Sequence, residues 1–203
     1  HETSVDMTLV RHGQTDWNEE RLCQGQEGDR PLTDLGRNQA KELAKTLKKK
    51  KYDAIVTSDL IRAKETAEIL GRELGLPITE ETDLLRERKF GRWVGMKLDD
   101  IVKKHPLRVE TGEFGVHHET APKGETLSEF LARAEKAADY LRARHAGKRI
   151  LVVTHGGMIQ ALAALEWNLP YLEALTTSPK NCASIELPLH PRMRRIEEVL
   201  DCW

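Results

Sequence analysis

The sequence predicts a single three-layer α/β domain, with a mainly parallel sheet and helices on both of its faces. Short apolar or β-branched runs alternate along the chain with segments in which apolar residues recur at helical spacing. The 203 residues are enough for one sizeable core, and no repeat, linker or low-complexity segment divides them. We therefore expect residues 1–203 to form one domain, in which crossover helices cover a buried sheet.

The first predicted strand is the apolar run Met7-Thr8-Leu9-Val10. A polar loop follows, and then a helix over about residues 34–50, where apolar residues recur at i, i+3, i+4 and i+7. Residues 53–57, Asp-Ala-Ile-Val-Thr, give a second strand. This succession of strand, helix and strand is the pattern of a parallel crossover unit.

The next helix is expected to be capped by Ser58 or Asp59, since both side chains can accept a hydrogen bond from a free backbone N–H. Gly75 closes this helix, because glycine readily adopts the left-handed conformation that ends helices. A short extended piece over about residues 76–79 follows, and then a polar loop that contains glycine.

Residues 104–123 contain prolines, glycines and histidines without a clean period, and they are predicted to form a lid-like insertion. The sequence Thr126-Leu127-Ser128-Glu129 matches a capping box and opens a long helix. Residues 149–154 are predicted to form a strand and residues 158–165 a helix. Two further strands are expected near residues 183–187 and 193–199.

Composition excludes several classes of partner. Charged residues make up 32% of the chain, yet the formal net charge is −1, so neither nucleic acid nor an anionic membrane is expected to bind. No apolar stretch approaches the roughly 20 residues of a membrane span, and residues 1–4 carry no signal-peptide pattern. The three cysteines are too scattered for a disulfide framework, which favours a cytoplasmic location.

The tripeptide Arg11-His12-Gly13 follows the first strand directly, and it carries the first functional signal. Ligands of open α/β sheets bind at the carboxyl ends of the strands, where these side chains are expected to project once Gly13 turns the chain sharply. A guanidinium can hold a phosphoryl group in a fork, and an imidazole nitrogen can attack phosphorus. The junction therefore suggests a phosphorylated substrate.

A second strand ends in the same way, at Thr154-His155-Gly156-Gly157. If the two strands are neighbours, His12 and His155 reach one cleft. Arg62 lies one turn into the helix that follows the second strand, so its guanidinium is expected at the same edge. Two arginines, two histidines and a helix N-terminus would form a strongly anion-binding pocket.

Ordered motifs extend this arrangement over nearly the whole chain. They are Leu9-Val10-Arg11-His12-Gly13-Gln14-Thr15-Asp16-Trp17-Asn18, Gln24-Gly25, Pro31-Leu32-Thr33 with Gly36 and Gln39-Ala40, Ser58-Asp59-Leu60 with Arg62-Ala63 and Thr66-Ala67, Leu85, Glu87, Phe90-Gly91, Trp93 and Thr154-His155-Gly156-Gly157. With these motifs the chain resembles the histidine phosphatase superfamily, in the branch of the phosphoglycerate mutases and the broad-specificity, mutase-like phosphatases.

The resemblance implies a two-step, metal-independent reaction through a phosphohistidine, without a cofactor. His12 would attack the phosphoryl group, while Arg11, Arg62 and His155 would hold its oxygens. Glu87 would protonate the departing alcohol and then, as a carboxylate, accept a proton from the attacking water. The implied substrate-binding residues are Gly13, Asn18, Gln24, Gly25 and Gly156.

The general acid that protonates the departing alcohol must come from another part of the chain, because His155 is followed by Gly156 and not by the aspartate that the acid-phosphatase branch places there. Glu87 is the candidate, although a purely structural Glu87 stays open. Three cationic neighbours, Arg86, Arg88 and Lys89, would lower its pKa, whereas a proton donor needs a raised one. Burial must therefore outweigh these neighbours, or they must point outward.

The leading hypothesis is a phosphatase that acts on small phosphorylated metabolites, and the alternative is a cofactor-dependent phosphoglycerate mutase. Only 155 − 87 = 68 residues separate Glu87 from His155, and a short cover over the site should admit water and favour hydrolysis. A non-catalytic phosphate-binding module and a two-metal phosphoesterase remain as other classes. No ligand run supports a metal; the adjacent pair His117-His118 would point to different sides. A sheet edge near Ile185 could pair two copies as a homodimer.

Overall fold

A five-stranded sheet forms the centre of the computed structural model. The structure describes residues 4–105, 107–108, 113–114, 118–171 and 178–191, with the backbone alone at 107–108 and 113–114. The strands of the sheet are β1 (Asp6–Arg11), β2 (Ala54–Ser58), β3 (Ile78–Thr82), β6 (Arg149–Thr154) and β7 (Ser184–Glu186). They lie side by side in the order β3-β2-β6-β1-β7. A separate pair, β4 (Leu107–Arg108) and β5 (Glu113–Phe114), forms a small antiparallel ladder.

Six α-helices are described within these ranges. They are α1 (Asp16–Glu19), α2 (Asp34–Leu47), α3 (Ile61–Leu74), α4 (Leu98–Lys104), α5 (Leu127–His145) and α6 (Gly156–Trp167). Single 3₁₀ turns cover Asp83–Leu85 and Gly91–Trp93. No helix in the described part of the chain has both the length and the apolar character that a membrane crossing needs.

The two strands that precede the histidines lie side by side. β1 and β6 are parallel, with Arg11 opposite Thr154, and β6 is also parallel to β2. β3 continues the parallel arrangement beyond β2, and only the edge strand β7 runs antiparallel. The mainly parallel sheet predicted from the sequence is confirmed, and His12 and His155 both follow central strands at the same edge.

Helices cover both faces of the sheet, as predicted. Successive residues of a strand point to opposite faces, so Ile150 and Val152 pack in the core under α5 and α6, whereas Leu151 and Val153 pack under α2 and α3. The helical side of the first core includes Phe130, which is fully buried. A sheet that is buried on both faces is the three-layer architecture.

The capping of α3 differs from the expectation. The N-cap residue is Leu60, and its side chain forms no capping hydrogen bond. The two expected caps are engaged elsewhere, because the hydroxyl of Ser58 is hydrogen-bonded to the ring of His155 and the carboxylate of Asp59 pairs with Arg86. The free backbone N–H of Ile61 donates instead to Asp29, at 2.6 Å. The capping box on α5 is present as predicted, with Thr126 and Glu129 as its two members.

Other boundaries shift, and some predictions lie outside the described residues. α4 occupies part of the stretch interpreted as a polar loop, the strand predicted at 76–79 is β3, and α6 begins two residues before the predicted start. Within the predicted lid, residues 106, 109–112 and 115–117 are not described, and neither is the strand expected at 193–199. The lid, the homodimer and the extent of the domain stay predictions.

Candidate active site

The imidazoles of His12 and His155 meet at the carboxyl ends of β1 and β6. Their ring centroids are 5.2 Å apart and their planes are inclined by 58°. His155 is also the N-cap residue of α6, so the positive end of that helix dipole lies at the same place. The strand ends therefore bring the two histidines together, as the sequence pattern predicts.

His12 is buried, and one of its ring nitrogens is engaged. Nδ1 lies 2.7 Å from the carbonyl oxygen of Gly13, and since a carbonyl only accepts, Nδ1 carries the proton and Nε2 keeps its lone pair. Burial, then the charges of Arg62 and Arg11, lower the pKa of His12 well below 6.5. The ring is therefore neutral at pH 7, in the tautomer that leaves Nε2 nucleophilic.

Gly13 is required by close packing, and not by the sharp turn expected from the sequence. Its φ is not positive, so its backbone conformation does not itself require glycine. An added Cβ, however, would lie 2.6 Å from the carbonyl oxygen of Gly36. Its N–H donates to Thr66 Oγ1 at 2.9 Å. This contact uses the one donor that Gly13 has, and it fixes the backbone beneath His12.

Two arginines supply positive charge, of which Arg62 is buried and Arg11 is partly buried. Arg62 is 1% exposed; its Nη1 donates to Asp29 Oδ1 at 2.9 Å and its Nη2 to the carbonyl oxygen of Gly25 at 2.6 Å. Arg11 donates from Nη1 to the carbonyl oxygen of Pro179 at 2.6 Å. In both arginines Nε is buried and finds no hydrogen-bond partner among the described residues. Burial lowers the pKa of both groups.

His155 is fully buried and held by a serine. Its Nε2 lies 2.8 Å from Ser58 Oγ, while its Nδ1 is buried and has no hydrogen-bond partner in the described part of the chain. Burial, then Arg62, His12 and Arg11, lower the pKa of His155 well below 6.5. A buried polar nitrogen without a partner is costly, and here it lies beside two guanidinium groups that also have unpaired N–H donors.

The carboxylate of Glu87 is held at the start of α6. Oε2 accepts a hydrogen bond from the backbone N–H of Gly157 at 3.2 Å, and Oε1 accepts one from the N–H of Arg88 at 2.8 Å. The backbone carbonyl of Glu87 accepts from Arg133 at 2.9 Å. Both ends of the residue are thus fixed by contacts that leave the carboxylate at the edge of the pocket.

The three cations next to Glu87 in sequence are engaged elsewhere. The guanidinium of Arg86 pairs with Asp59 at 2.7 and 2.8 Å. That of Arg88 donates to backbone carbonyls of other loops, and Lys89 lies 3.9 Å from Glu27. Arg86 and Lys89 are thus directed away from the carboxylate, whereas Arg88 is buried at 3% exposure and its charge still interacts with Glu87, so the second condition holds for two of the three cations.

Two amide side chains lie beside the histidines. Asn18 Oδ1 accepts from the N–H of Thr15 at 3.0 Å and from Asn181 Nδ2 at 3.3 Å, and Gln24 Oε1 accepts from Thr15 Oγ1 at 2.9 Å. Their NH₂ groups are therefore the ends left to donate to an anion. Asn181, which also donates to the carbonyl of His12 at 3.1 Å, was not predicted from the sequence.

These side chains surround a pocket of about 120 Å³. It is lined by Arg11, His12, Asn18, Leu22, Cys23, Gln24, Gly25, Arg62, Glu87, Phe90 and Leu98. The lining contains seven of the ten predicted site residues; Gly13, Gly156 and His155 lie outside it. An added Cβ on Gly156 would lie 2.7 Å from Ser178 Oγ and 3.6 Å from Arg11 Nε, so this glycine makes room for those neighbours.

A larger cavity, about 640 Å³, opens at the opposite edge of the sheet. Its charged groups are largely paired with one another, as in the ion pairs Arg149–Asp6 and Lys50–Glu186. Its lining includes neither of the two histidines and neither of the two arginines whose Nε is buried and unpaired. Chemistry, and not volume, therefore places the candidate active site at the carboxyl ends of β1 and β6.

Comparison with known proteins agrees with this geometry. The profile of the histidine phosphatase superfamily, branch 1, matches residues 7–201. The "Uncharacterized phosphatase PhoE" of Bacillus subtilis is 40% identical over 154 residues, which are 76% of this chain and 73% of that protein. The "Probable phosphoglycerate mutase GpmB" of Photorhabdus laumondii is 33% identical over 179 residues, covering 88% of this chain and 82% of that one.

A solved structure is similar over a comparable length. The mycobacterial glucosyl-3-phosphoglycerate phosphatase in its complex with VO3 superposes with a TM-score of 0.73 at 31% identity, covering 88% of each chain. The fold and site thus define a phosphoryl-handling α/β protein, and the chain belongs to the histidine phosphatase superfamily. The family, the fold and the phosphatase class of enzyme expected from the sequence are confirmed.

Proposed function

We propose that this protein is a metal-independent phosphatase that hydrolyses phosphomonoesters of small metabolites through a phosphohistidine on His12. The observation that carries the proposal is the state of His12: it is buried and neutral, and the hydrogen bond from Nδ1 to Gly13 leaves Nε2 to attack. The guanidinium groups of Arg62, which is buried, and of Arg11, which is partly buried, share its pocket, where they can hold a dianionic phosphoryl group.

In the first step, Nε2 of His12 forms a bond to phosphorus as the bond from phosphorus to the ester oxygen breaks. Arg11 and Arg62 stabilise the charge on the phosphoryl oxygens, and Nδ1 of His155 donates to them in the tautomer that carries a proton there. Glu87, protonated at this stage, gives its proton to the departing alkoxide and becomes a carboxylate. The backbone N–H of Gly157 holds that carboxylate in place.

In the second step, water attacks the same phosphorus. Glu87 accepts one proton of the water, the bond from phosphorus to Nε2 breaks, and its electron pair returns to the ring of His12. Inorganic phosphate leaves, His12 is neutral again and Glu87 is protonated for the next cycle. One carboxyl group thus serves both half-reactions because the first leaves it in the form that the second needs.

A phosphoglycerate mutase is the second candidate, and the relatives named GpmB favour it. A mutase would use the same residues but return the phosphoryl group to another hydroxyl of the substrate. The 68 positions from Glu87 to His155 favour hydrolysis, because a short cover gives water access to the phosphoenzyme.

The deciding assay measures release of inorganic phosphate from a panel of phosphorylated metabolites, beside conversion of 3- to 2-phosphoglycerate. We expect phosphate release that is unaffected by a chelator, and labelled phosphate bound to wild-type protein but not to His12→Ala. Isomerisation without net phosphate release would establish the mutase instead. Turnover by His12→Ala, or loss of turnover on chelation, would contradict the mechanism.

A further inference from the structure

Asp29 is a loop residue that contacts Arg62 without lining the pocket. Its Oδ1 lies 2.9 Å from Arg62 Nη1 and 3.5 Å from the backbone N–H of Arg62, and its Oδ2 accepts from the N–H of Ile61 at 2.6 Å. Its side chain is only 16% exposed, against 1% for Arg62. One carboxylate therefore holds both the guanidinium and the first turn of the helix that carries it.

The geometry of Arg62 shows what these contacts achieve. A guanidinium is planar and has five N–H donors in a fixed fork, so two anchored nitrogens determine where the others point. Asp29 anchors Nη1, and the carbonyl oxygen of Gly25 anchors Nη2. Nε, on the remaining edge, is buried and has no hydrogen-bond partner among the described residues.

We propose that Asp29 is a positioning residue for phosphoryl transfer, which fixes the Arg62 guanidinium in the orientation that meets the transition state. The proposal rests on the proposed function, in which Arg62 binds phosphoryl oxygens. Asp29 acts through Arg62 and touches no reacting atom.

Electrostatics support this role. Burial lowers the pKa of Arg62, and the charge of Asp29 is the largest influence in the opposite direction. A buried cation whose carboxylate partner is removed is strongly destabilised where it stands. Without Asp29, the guanidinium is therefore expected to turn toward water or toward another acceptor, and its donors leave the orientation that the reaction needs.

A purely structural role is the alternative, because the same carboxylate caps α3. The chain offers a matched control for it in Glu65, on the same helix. Glu65 Oε1 accepts from the backbone N–H of Leu32 at 2.8 Å, and its Oε2 lies 3.1 Å from Nη1 of Arg37. Its side chain is 25% exposed, and Arg37 does not line the pocket. Glu65 thus makes the same kinds of contact as Asp29 with an arginine outside the site.

The experiment compares Asp29→Asn with Glu65→Gln in kcat, KM and thermal unfolding. Misplacing a catalytic group by about 1 Å costs roughly 100-fold in rate, so we expect kcat of Asp29→Asn to fall by about that factor. KM should change by less than about threefold, since the positive charge of Arg62 stays in the protein. Glu65→Gln should lower the unfolding temperature to a similar degree and keep kcat within about threefold.

A binding measurement tests the same idea without turnover. When a nucleophile such as Nε2 of His12 adds to it, vanadate adopts the trigonal-bipyramidal geometry of the transferring phosphoryl group, whereas bound inorganic phosphate stays tetrahedral. Asp29→Asn should bind vanadate about 100-fold more weakly than wild type, with phosphate affinity within about threefold. If the wild-type protein hydrolyses no ester, the proposed function fails, while the ratio of these two affinities still decides the role of Asp29.

Asp29→Glu, which keeps the charge and both acceptor oxygens, adds a rescue test and serves alone should Asp29→Asn not fold. Its kcat and its vanadate affinity should both be at least about tenfold higher than those of Asp29→Asn. The proposal is overturned if Asp29→Asn keeps kcat and vanadate binding within about threefold of wild type. It is equally overturned if Glu65→Gln loses as much of both, or if Asp29→Glu folds and still loses about 100-fold in kcat and in vanadate affinity.

Discussion

Substitution of Gly157 by alanine should disable the acid of the reaction and spare the fold. The N–H of Gly157 donates to Glu87 Oε2, and an added Cβ would lie 2.3 Å from Glu87 Oε1. Ordinary contact begins near 3.4 Å, so the carboxylate must move by about 3.4 − 2.3 = 1.1 Å. It is the end of a flexible side chain and gives way more cheaply than the backbone of α6.

The expected loss follows from that displacement, and it depends on the leaving group. A misplacement of about 1 Å costs roughly 100-fold in rate. An alkyl phosphate needs a proton on its departing oxygen, so kcat of Gly157→Ala on such a substrate should fall by about that factor. 4-Nitrophenyl phosphate needs no proton, so phosphorylation of His12 should proceed and then stall, because water lacks its base. Rapid mixing should show a burst of about one nitrophenolate per enzyme, followed by slow turnover.

Gly75→Ala is the matched control for this variant. Gly75 ends α3 with φ of +68°, and an added Cβ would meet nothing within 4 Å. The substitution should therefore lower stability through backbone strain alone, without a change in kcat. The reasoning about Glu87 would be refuted if Gly157→Ala turned over an alkyl phosphate as fast as wild type does. It would also be refuted if the variant lost both the nitrophenolate burst and steady-state turnover of 4-nitrophenyl phosphate.

Two further predictions concern stability. The folded protein holds the pKa of His12 and His155 well below 6.5. Their contribution to the free energy of unfolding is therefore fully present above about pH 6.5 and is lost as pH falls, because the unfolded chain binds protons that the folded one excludes. His12→Gln should reduce that loss by up to about 1.4 kcal/mol per pH unit in urea unfolding, and an unchanged slope would contradict it. Thr126→Ala, which removes the capping box with Glu129, should cost about 1 kcal/mol without changing kcat; unchanged urea stability would contradict that.

The sheet could be predicted from the sequence because its signals are local. Residues 150–154 are all apolar or β-branched, and the structure buries alternate apolar members on opposite faces of the sheet. The placing of His12 and His155 followed from one topological rule, that parallel strands present their carboxyl ends at one edge. That rule needs only the order of elements, but it brings the two histidines together only if β1 and β6 are neighbours, which the sequence left as a condition and the structure shows.

Contacts between distant residues could not be predicted. Ser58 is a good local capping residue, yet its hydroxyl lies 2.8 Å from a histidine 97 positions away. Asp29 meets Arg62 across 33 positions, and Asn181 meets Asn18 across 163. No periodicity or turn rule relates such pairs, because the pairing of β2 with β6 brings Ser58 to His155 and the folding of loops brings the other two pairs together. Local patterns and the family resemblance accordingly named the groups that we propose to bind phosphate, and they missed the residues that contact and orient those groups.

In the proposed mechanism, the two arginines link substrate binding to the state of His12 as the nucleophile. Each contributes to lowering the pKa of His12, with burial as the largest cause. A bound phosphoryl dianion acts in the opposite direction, since a nearby negative charge favours the protonated imidazole and would occupy the lone pair on Nε2. The charges of Arg11 and Arg62 offset that dianion where it binds. In this mechanism the groups that attract the substrate are therefore the same groups that keep His12 able to attack it, which gives a reason for the pairing of buried neutral histidines with two arginines.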